Sequence, residues 1–257
     1  MTPLRGDVLN RVRRLPKPTQ ASEALQPLFE AVSNALHAVE DAYGDQYQVR
    51  GRIAVTVKDL KHPGTISITV SDNGIGFDSH RFNAFCTTDT DHKISRGGKG
   101  IGRVLWLDAF EKVAINSIFK EDGAFNRRSF SFILTPSDQI ADEALEKIKA
   151  AGAETGSSIT FQGLRGPAYR TKFTAQPATL VKHFGSHFFA DFILGKAPQI
   201  ILDIDGEATL FPDAITDLRV EDRGTATVET QEFGTLSLAN FICKKAASAN
   251  FDGLHQI

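Results

Sequence analysis

The sequence predicts an α+β protein in two parts, and three observations carry that reading. Apolar residues recur at helical spacing from Ala21 to about Tyr43. Runs of alternating β-formers follow it in pairs. Near Gly163 the pattern then shifts from mixed helix and strand to mostly strand. At 257 residues, 41% hydrophobic and 23% charged, the chain is globular and long enough for one large or two medium domains.

Residues 1–20 read as a short basic amphipathic piece closed by Pro16-Lys17-Pro18. Leu25, Leu28, Phe29, Val32, Ala35, Leu36 and Val39 then make one apolar helical face, with Gly44 as its stop. Strands are expected at Arg52 to Val57 and Thr65 to Ser71, joined by a turn at His62-Pro63-Gly64. Residues 78 to 99 are polar without a sustained period and read as one long loop. Gly100 and Gly102 open a helix reaching about Glu111, followed by strands at Lys112 to Phe119 and Arg128 to Leu134. A helix is expected at Ser137 to Ala150, stopped by Gly152, and a strand at Ser157 to Phe161. "LRGPAYR" has linker character, which places a domain boundary at about 165 to 170. Beyond it come a helix at Pro177 to Leu194, a hairpin through Asp205-Gly206, and a second hairpin within "TATVETQEFGTLSLANFICKK". The closing "FDGLHQI" stops in mid-pattern, as expected of a chain cut inside a domain.

Composition narrows the function classes. A net charge of −2 argues against a broad nucleic-acid footprint and leaves room for a local basic patch. No segment approaches the roughly 18 uninterrupted apolar residues of a membrane span. The N-terminus is too charged for a secretory leader, so a cytoplasmic protein is expected. Cys86 and Cys243 lie far apart without metal or redox spacing and read as reduced thiols. His183 and His187 share a helix face at i,i+4, but no Glu or third ligand accompanies them, which favours a structural role.

Three boxes carry chemistry. Glu30 and Asn34 stand at i and i+4, about 6 Å apart along one helix face. "DNGIGF", residues 72 to 77, ends a strand with an acid and two spaced glycines. "RGGKGIGR", residues 96 to 103, is a glycine-rich turn entering a helix, where free N–H groups and the positive helix end suit an anion such as phosphate. A mobile hinge is the plainer alternative for those glycines. Other glycine motifs fail on spacing. A Walker loop needs Ser or Thr after Gly-Lys, and Lys99 precedes Gly100; a dinucleotide fingerprint should follow the first strand of a βαβ unit; and Gly74 occupies the third ligand position of an EF-hand read from Asp72.

"EAVSNALHA", "DNGIGF", "GGKGIG" and "GSSITF", in that order over residues 21 to 163, resemble the ATP-binding domain of the GHKL superfamily. That group contains gyrase-type topoisomerases, large heat-shock chaperones, histidine kinases and MutL-type repair proteins. The resemblance implies a Bergerat two-layer α/β sandwich over 21–165, a mixed sheet with helices on one face. It implies an N-terminal strap at 1–20 and part of a second, transducer-like domain at 170–257.

It also implies roles. Asp72 would accept the adenine amino hydrogen, with Gly74 and Gly76 letting the backbone approach the base. Asn34 would hold Mg²⁺, and Glu30 would be the general base for the attacking water. Gly97, Gly98, Lys99, Gly100, Ile101 and Gly102 would cap the triphosphate, with Lys99 and Arg103 adding positive charge. Residues 78 to 99 would be an ATP lid. Ser157 stands where the family usually has Thr, keeping the hydroxyl without the methyl. For the γ-phosphate lysine of related second domains Lys244 and Lys245 are the only adjacent candidates, but the family's lysine usually comes later and is expected beyond residue 257.

The resulting expectation is a slow Mg²⁺-dependent ATPase in which nucleotide binding closes a lid and drives conformational change or homodimerisation. Alternatives are an ATP-sensing module without significant hydrolysis and a histidine-kinase-like phosphotransferase. The kinase reading is disfavoured by Glu30, where kinases typically carry Asn, and by the lack of room upstream for a phospho-acceptor hairpin. The client stays open, and contact with nucleic acid is expected only through further regions.

Overall fold

The structure, a computed structural model, describes residues 8–87, 102–216, 219–232 and 234–243. The described chain opens with α1 (Val8–Arg13), whose Val12 is buried. Next come α2 (Ala21–Ala24) and the long α3 (Gln26–Tyr43). The apolar stripe of α3 behaves as its spacing predicts: Leu28, Phe29, Ala31, Val32, Ala35 and Val39 are all buried. Full burial of a Leu, Val or Phe contributes roughly 1.5–3 kcal/mol, so this stripe alone commits the helix to the core. Gly44 ends α3 at φ 53°, a conformation that only glycine adopts cheaply. One more turn, α4 (Tyr47–Arg50), then leads into the sheet.

Strands β1 (Arg52–Lys58) and β2 (Ser67–Asp72) pair antiparallel, with Ile53, Val55, Val57, Ile68 and Val70 buried beneath the helices. Residues 78 to 99 are not one loop, because α5 (Ser79–Cys86) forms within them. Its N-cap is Asp78, whose carboxylate accepts from Arg81 N–H at 2.7 Å. Phe82 and Phe85 pack it against Phe130, and two aromatic residues are too few to give a periodic signal.

After α6 (Gly102–Ala109), strands β3 (Phe110–Glu121) and β4 (Ala124–Phe132) form a hairpin. The helix expected at Ser137 to Ala150 is instead strand β5 (Ile140–Ile148), antiparallel to β4. The stretch is rich in Ala, Glu and Lys, good helix formers, yet the free edge of β4 takes it as a charged, exposed edge strand. Asp142, at φ 55°, sits where the register slips. Strand β6 (Gly156–Leu164) returns to the centre between β3 and β2.

"LRGPAYR" is helical rather than linker-like over α7 (Gly166–Lys172). The single helix expected at 177 to 194 is split at Phe188 into α8 (Pro177–His187) and α9 (Phe189–Ile193). Strands β7 (Gln199–Ile204) and β8 (Glu207–Phe211) form the expected hairpin, and β7 lies parallel to β1. The sheet therefore continues past residues 165 to 170, in the order β5-β4-β3-β6-β2-β1-β7-β8. After α10 (Asp213–Thr216), β9 (Arg219–Thr230) and β10 (Gly234–Cys243) make a separate two-stranded sheet, the second expected hairpin.

The large sheet has two unlike faces. One is apolar and lies under the helices. The other is rich in hydroxyls that bond across strands, as in Thr69–Thr160 and Ser71–Ser158, both at 3.0 Å. No helix among the described residues is long and apolar enough to cross a membrane.

Candidate nucleotide-binding site

The end of β2 delivers Asp72 beside β6, where it pairs in register with Ser157. Burial of its carboxyl end pushes the pKa up to about 7, although backbone N–H groups of Gly74 and Ser157 favour the ionised form. The Gly74 N–H donates to Asp72 Oδ1 at 2.8 Å. Beneath it, the buried Ser157 hydroxyl lies 3.3 Å from that of Ser117 on β3. A carboxyl group poised near neutrality in a partly apolar recess can take a hydrogen bond from an amino group, and a ligand lacking one leaves it unpaired.

The loop after Asp72 is fastened along its length. Asn73 Nδ2 donates to Arg50 O at 2.9 Å, Asn73 Oδ1 accepts from Arg52 N–H at 2.7 Å, and Tyr43 Oη donates to Asn73 O at 3.0 Å. The Ile75 N–H donates to Ala38 O of α3 at 3.1 Å. Gly74 and Gly76 owe their identity here to close packing within the protein. A Cβ on Gly74 would meet the Ala38 carbonyl carbon at 2.5 Å; one on Gly76, at φ 78°, would meet Ile118 O at 2.4 Å. Asp72 and the helix carrying Glu30 and Asn34 are thereby fixed to each other.

Glu30 and Asn34 are half-buried on α3. The first residue of α6, Gly102, touches Glu30: a Cβ there would lie 2.3 Å from Glu30 Oε2. α6 is keyed to the start of α3 by the buried Trp106, whose Nε1 donates to Pro27 O at 3.0 Å. At its other end Asp108, 3% exposed, pairs with Lys17. Burial and the Asp108 carboxylate beside it push the Tyr169 hydroxyl well above the usual phenol range.

The structure thus brings two groups together, Glu30 with Gly102 and Asp72 with Ser157, and links them through α3 and the 73–78 loop. Arg103 donates to Thr87 O and lies 5.6 Å from the centre of the Phe85 ring. Gly97, Gly98, Lys99, Gly100 and Ile101 lie outside the described residues, as do Lys244 and Lys245. Away from this site, His187 stacks on Phe29 at 4.1 Å, and burial lowers its pKa against the opposing charge of Asp191. Cys86 is a free thiol.

Sequence reasoning missed Asn73, Ser117 and Arg128. Asn73 reads as turn chemistry, and a serine or arginine inside an alternating strand carries no local sign of its partners.

The family described as histidine kinase-, DNA gyrase B- and HSP90-like ATPases matches residues 20–109. That span holds α3, β1, β2 and α6, with Glu30, Asn34, Asp72 and Gly102 among them. The N-terminal region is thus similar to the GHKL-type ATPase domains over residues 20–109. The fold as a whole is similar to the crystal structure of the N-terminal domain of a DNA repair protein, with a TM-score of 0.56 at 13% identity, covering 91% of this chain and 69% of that one. No curated protein matches the sequence. The helical layer carries Glu30 and Asn34, and the sheet carries Asp72 and Ser157. The 73–78 loop joins the two layers.

Proposed function

We propose that this chain binds ATP with its base at Asp72 and hydrolyses it slowly with Glu30 as general base. The observation that carries the reading is the contact of Glu30 with Gly102 at the head of α6, with the half-buried Asp72 joined to the same helix α3 through the loop that follows it. Ionised Asp72 accepts the adenine amino hydrogen, and the Ser117–Ser157 hydroxyl pair lies beneath it. Glu30 takes a proton from water as its oxygen attacks the γ-phosphorus; the bond to the β-phosphate oxygen breaks and ADP leaves.

The donor set suits Mg²⁺ held largely by the nucleotide. Among the described residues no group of three or more His, Cys, Asp or Glu could hold a metal ion, whereas the Asn34 amide oxygen is a hard ligand beside Glu30. Bound there with ATP, Mg²⁺ would offset charge on the phosphates.

ATP-driven closure of a lid at residues 78 to 99 and homodimerisation through the N-terminal segment fit the same reading. The Lys17–Asp108 pair already ties that segment to α6.

The test compares wild type with Glu30→Ala. Calorimetry with Mg-ATP is expected to give affinities within a few-fold of each other, while single-turnover hydrolysis falls at least 100-fold in the variant. Hydrolysis that survives Glu30→Ala with binding intact removes Glu30 as the base and returns the chain to an ATP-sensing role.

A further inference from the structure

The Phe77 peptide, which closes the "DNGIGF" loop, is gripped on both sides. Its N–H donates to Ser117 Oγ at 2.8 Å, and its carbonyl accepts from Arg128 Nη1 at 2.9 Å. The same Nη1 donates to the Asp78 carbonyl at 3.1 Å. Arg128 stands on β4, some fifty residues further along the chain, and is 4% exposed. Its guanidinium lies 4.3 Å from the centre of the Phe82 ring and 5.2 Å from that of Phe119. Its one carboxylate partner among the described residues is Glu143, 3.6 Å from Nε.

This is an expensive way to fill a strand position. A buried guanidinium loses its hydration, and one partly exposed carboxylate offsets only part of that. An apolar residue of similar length would pack against the same two rings. What it could not do is satisfy two consecutive carbonyls where the chain leaves the loop and enters α5. The Ser117 hydroxyl that holds the other side of the Phe77 peptide is also the group 3.3 Å from Ser157 Oγ, and the Ser157 backbone N–H bonds the Asp72 carboxyl. An unbroken line of polar contacts therefore runs from Arg128 through Phe77, Ser117 and Ser157 to Asp72.

We propose that Arg128 is a positioning residue for the base-recognition end of the site: with Ser117 it clamps the Phe77 peptide and holds the 73–78 loop in the shape that presents Asp72 to adenine. This rests on the ATP-binding reading above. Arg128 touches no nucleotide itself and acts through the loop. Its effect belongs to base selectivity, since the phosphate end is built from α3 and α6 on the other side of the loop.

The test uses Arg128→Met, which keeps length and loses the donors, Arg128→Lys, and Ser117→Ala, which opens the other side of the clamp. ATP and GTP compete for each protein against a fluorescent adenine nucleotide, with thermal melting alongside. Arg128→Met and Ser117→Ala are expected to weaken ATP at least tenfold while GTP changes less than threefold, and Arg128→Lys to recover part of the loss. An ATP-to-GTP preference unchanged in both variants, or a loss shared equally by the two nucleotides, overturns the proposal. Should Arg128→Met fail to melt cooperatively, Arg128→Lys decides: it is expected to weaken ATP several-fold with GTP changed less than threefold, and an unchanged ATP-to-GTP preference overturns the proposal. A wild-type protein with no preference for ATP instead overturns the ATP-binding reading, before any variant is compared.

Discussion

Gly102 lies against Glu30 so closely that a single added methyl would sit 2.3 Å from Oε2 and 2.9 Å from Cδ of the carboxylate. The atoms in the way are the far end of a flexible side chain, so Glu30 can swing aside without disturbing the helix behind it. Gly102→Ala is therefore expected to melt within about 1 kcal/mol of wild type. Its ATP affinity should stay within a few-fold. The hydrolysis rate should fall at least tenfold, because a general base works only within hydrogen-bond reach of its water. Unchanged turnover would mean that Glu30 does not act from this position.

Gly74 makes the opposite case. A Cβ there would meet the carbonyl carbon, oxygen and Cβ of Ala38 at 2.5, 2.7 and 2.8 Å, and helix backbone cannot move aside. Overpacking of this kind costs about 1–3 kcal/mol. Gly74→Ala is expected to lower the melting temperature and to weaken ATP binding together, because the Ile75–Ala38 hydrogen bond beside it sets the height of the loop over α3. Gly64→Ala is the control. Nothing lies within 4 Å of its added methyl, and stability should stay within about 0.5 kcal/mol.

The contrast between these glycines shows what a sequence can and cannot display. The stripe of α3, the alternation of β1 and β2 and the spacing of the glycine boxes are local patterns, and they place Glu30, Asn34 and Asp72 on the elements that carry them. That the glycine at 74 faces a helix thirty-six residues earlier is not local, and no pattern around it reports Ala38. The same holds for β5, where "ADEALEKIKA" has every feature of a helix and only the open edge of β4 makes it a strand. The parallel pairing of β7 with β1 across nearly 150 residues is equally silent. Nothing local around Arg128 reports the two distant carbonyls that it bonds.

Asp72 carries a pH signature with a definite sign. Burial raises its pKa from the usual 3.8 to about 7, so the folded protein holds this proton more tightly than the unfolded chain does. The stability it contributes is full below pH 3.8, falls as pH rises through the window between 3.8 and 7, and is gone above 7. There the buried carboxylate costs on the order of 4 kcal/mol. Asp72→Asn is thus expected to be more stable than wild type at pH 8, with the difference shrinking toward pH 5. ATP binding runs the other way. It needs the ionised acceptor, so wild-type affinity should fall up to tenfold per unit below pH 7, with proton release on binding. Calorimetry in two buffers of different ionisation enthalpy measures that release, and its absence at pH 6 would show that Asp72 does not meet the base as a carboxylate.

Lys17 and Asp108 set the last expectation. Asp108 sits at the C-terminal end of α6 with 3% exposure, and Lys17, 46% exposed, reaches it from the segment after α1. Removing the lysine leaves a buried carboxylate without its cation, whereas removing both charges leaves only a repacking problem. Water reaching the lysine end reduces the penalty, so Lys17→Met should cost about 1–3 kcal/mol. Lys17→Met combined with Asp108→Asn should recover at least half of it. Because α6 runs from this pair to the glycine touching Glu30, the two charges also bear on turnover. Lys17→Met is expected to slow hydrolysis more than it weakens ATP binding, and the double variant to regain rate along with stability. A double-mutant cycle in which the two losses simply add would show the pair to be uncoupled and would sever the N-terminal segment from the catalytic end of α6.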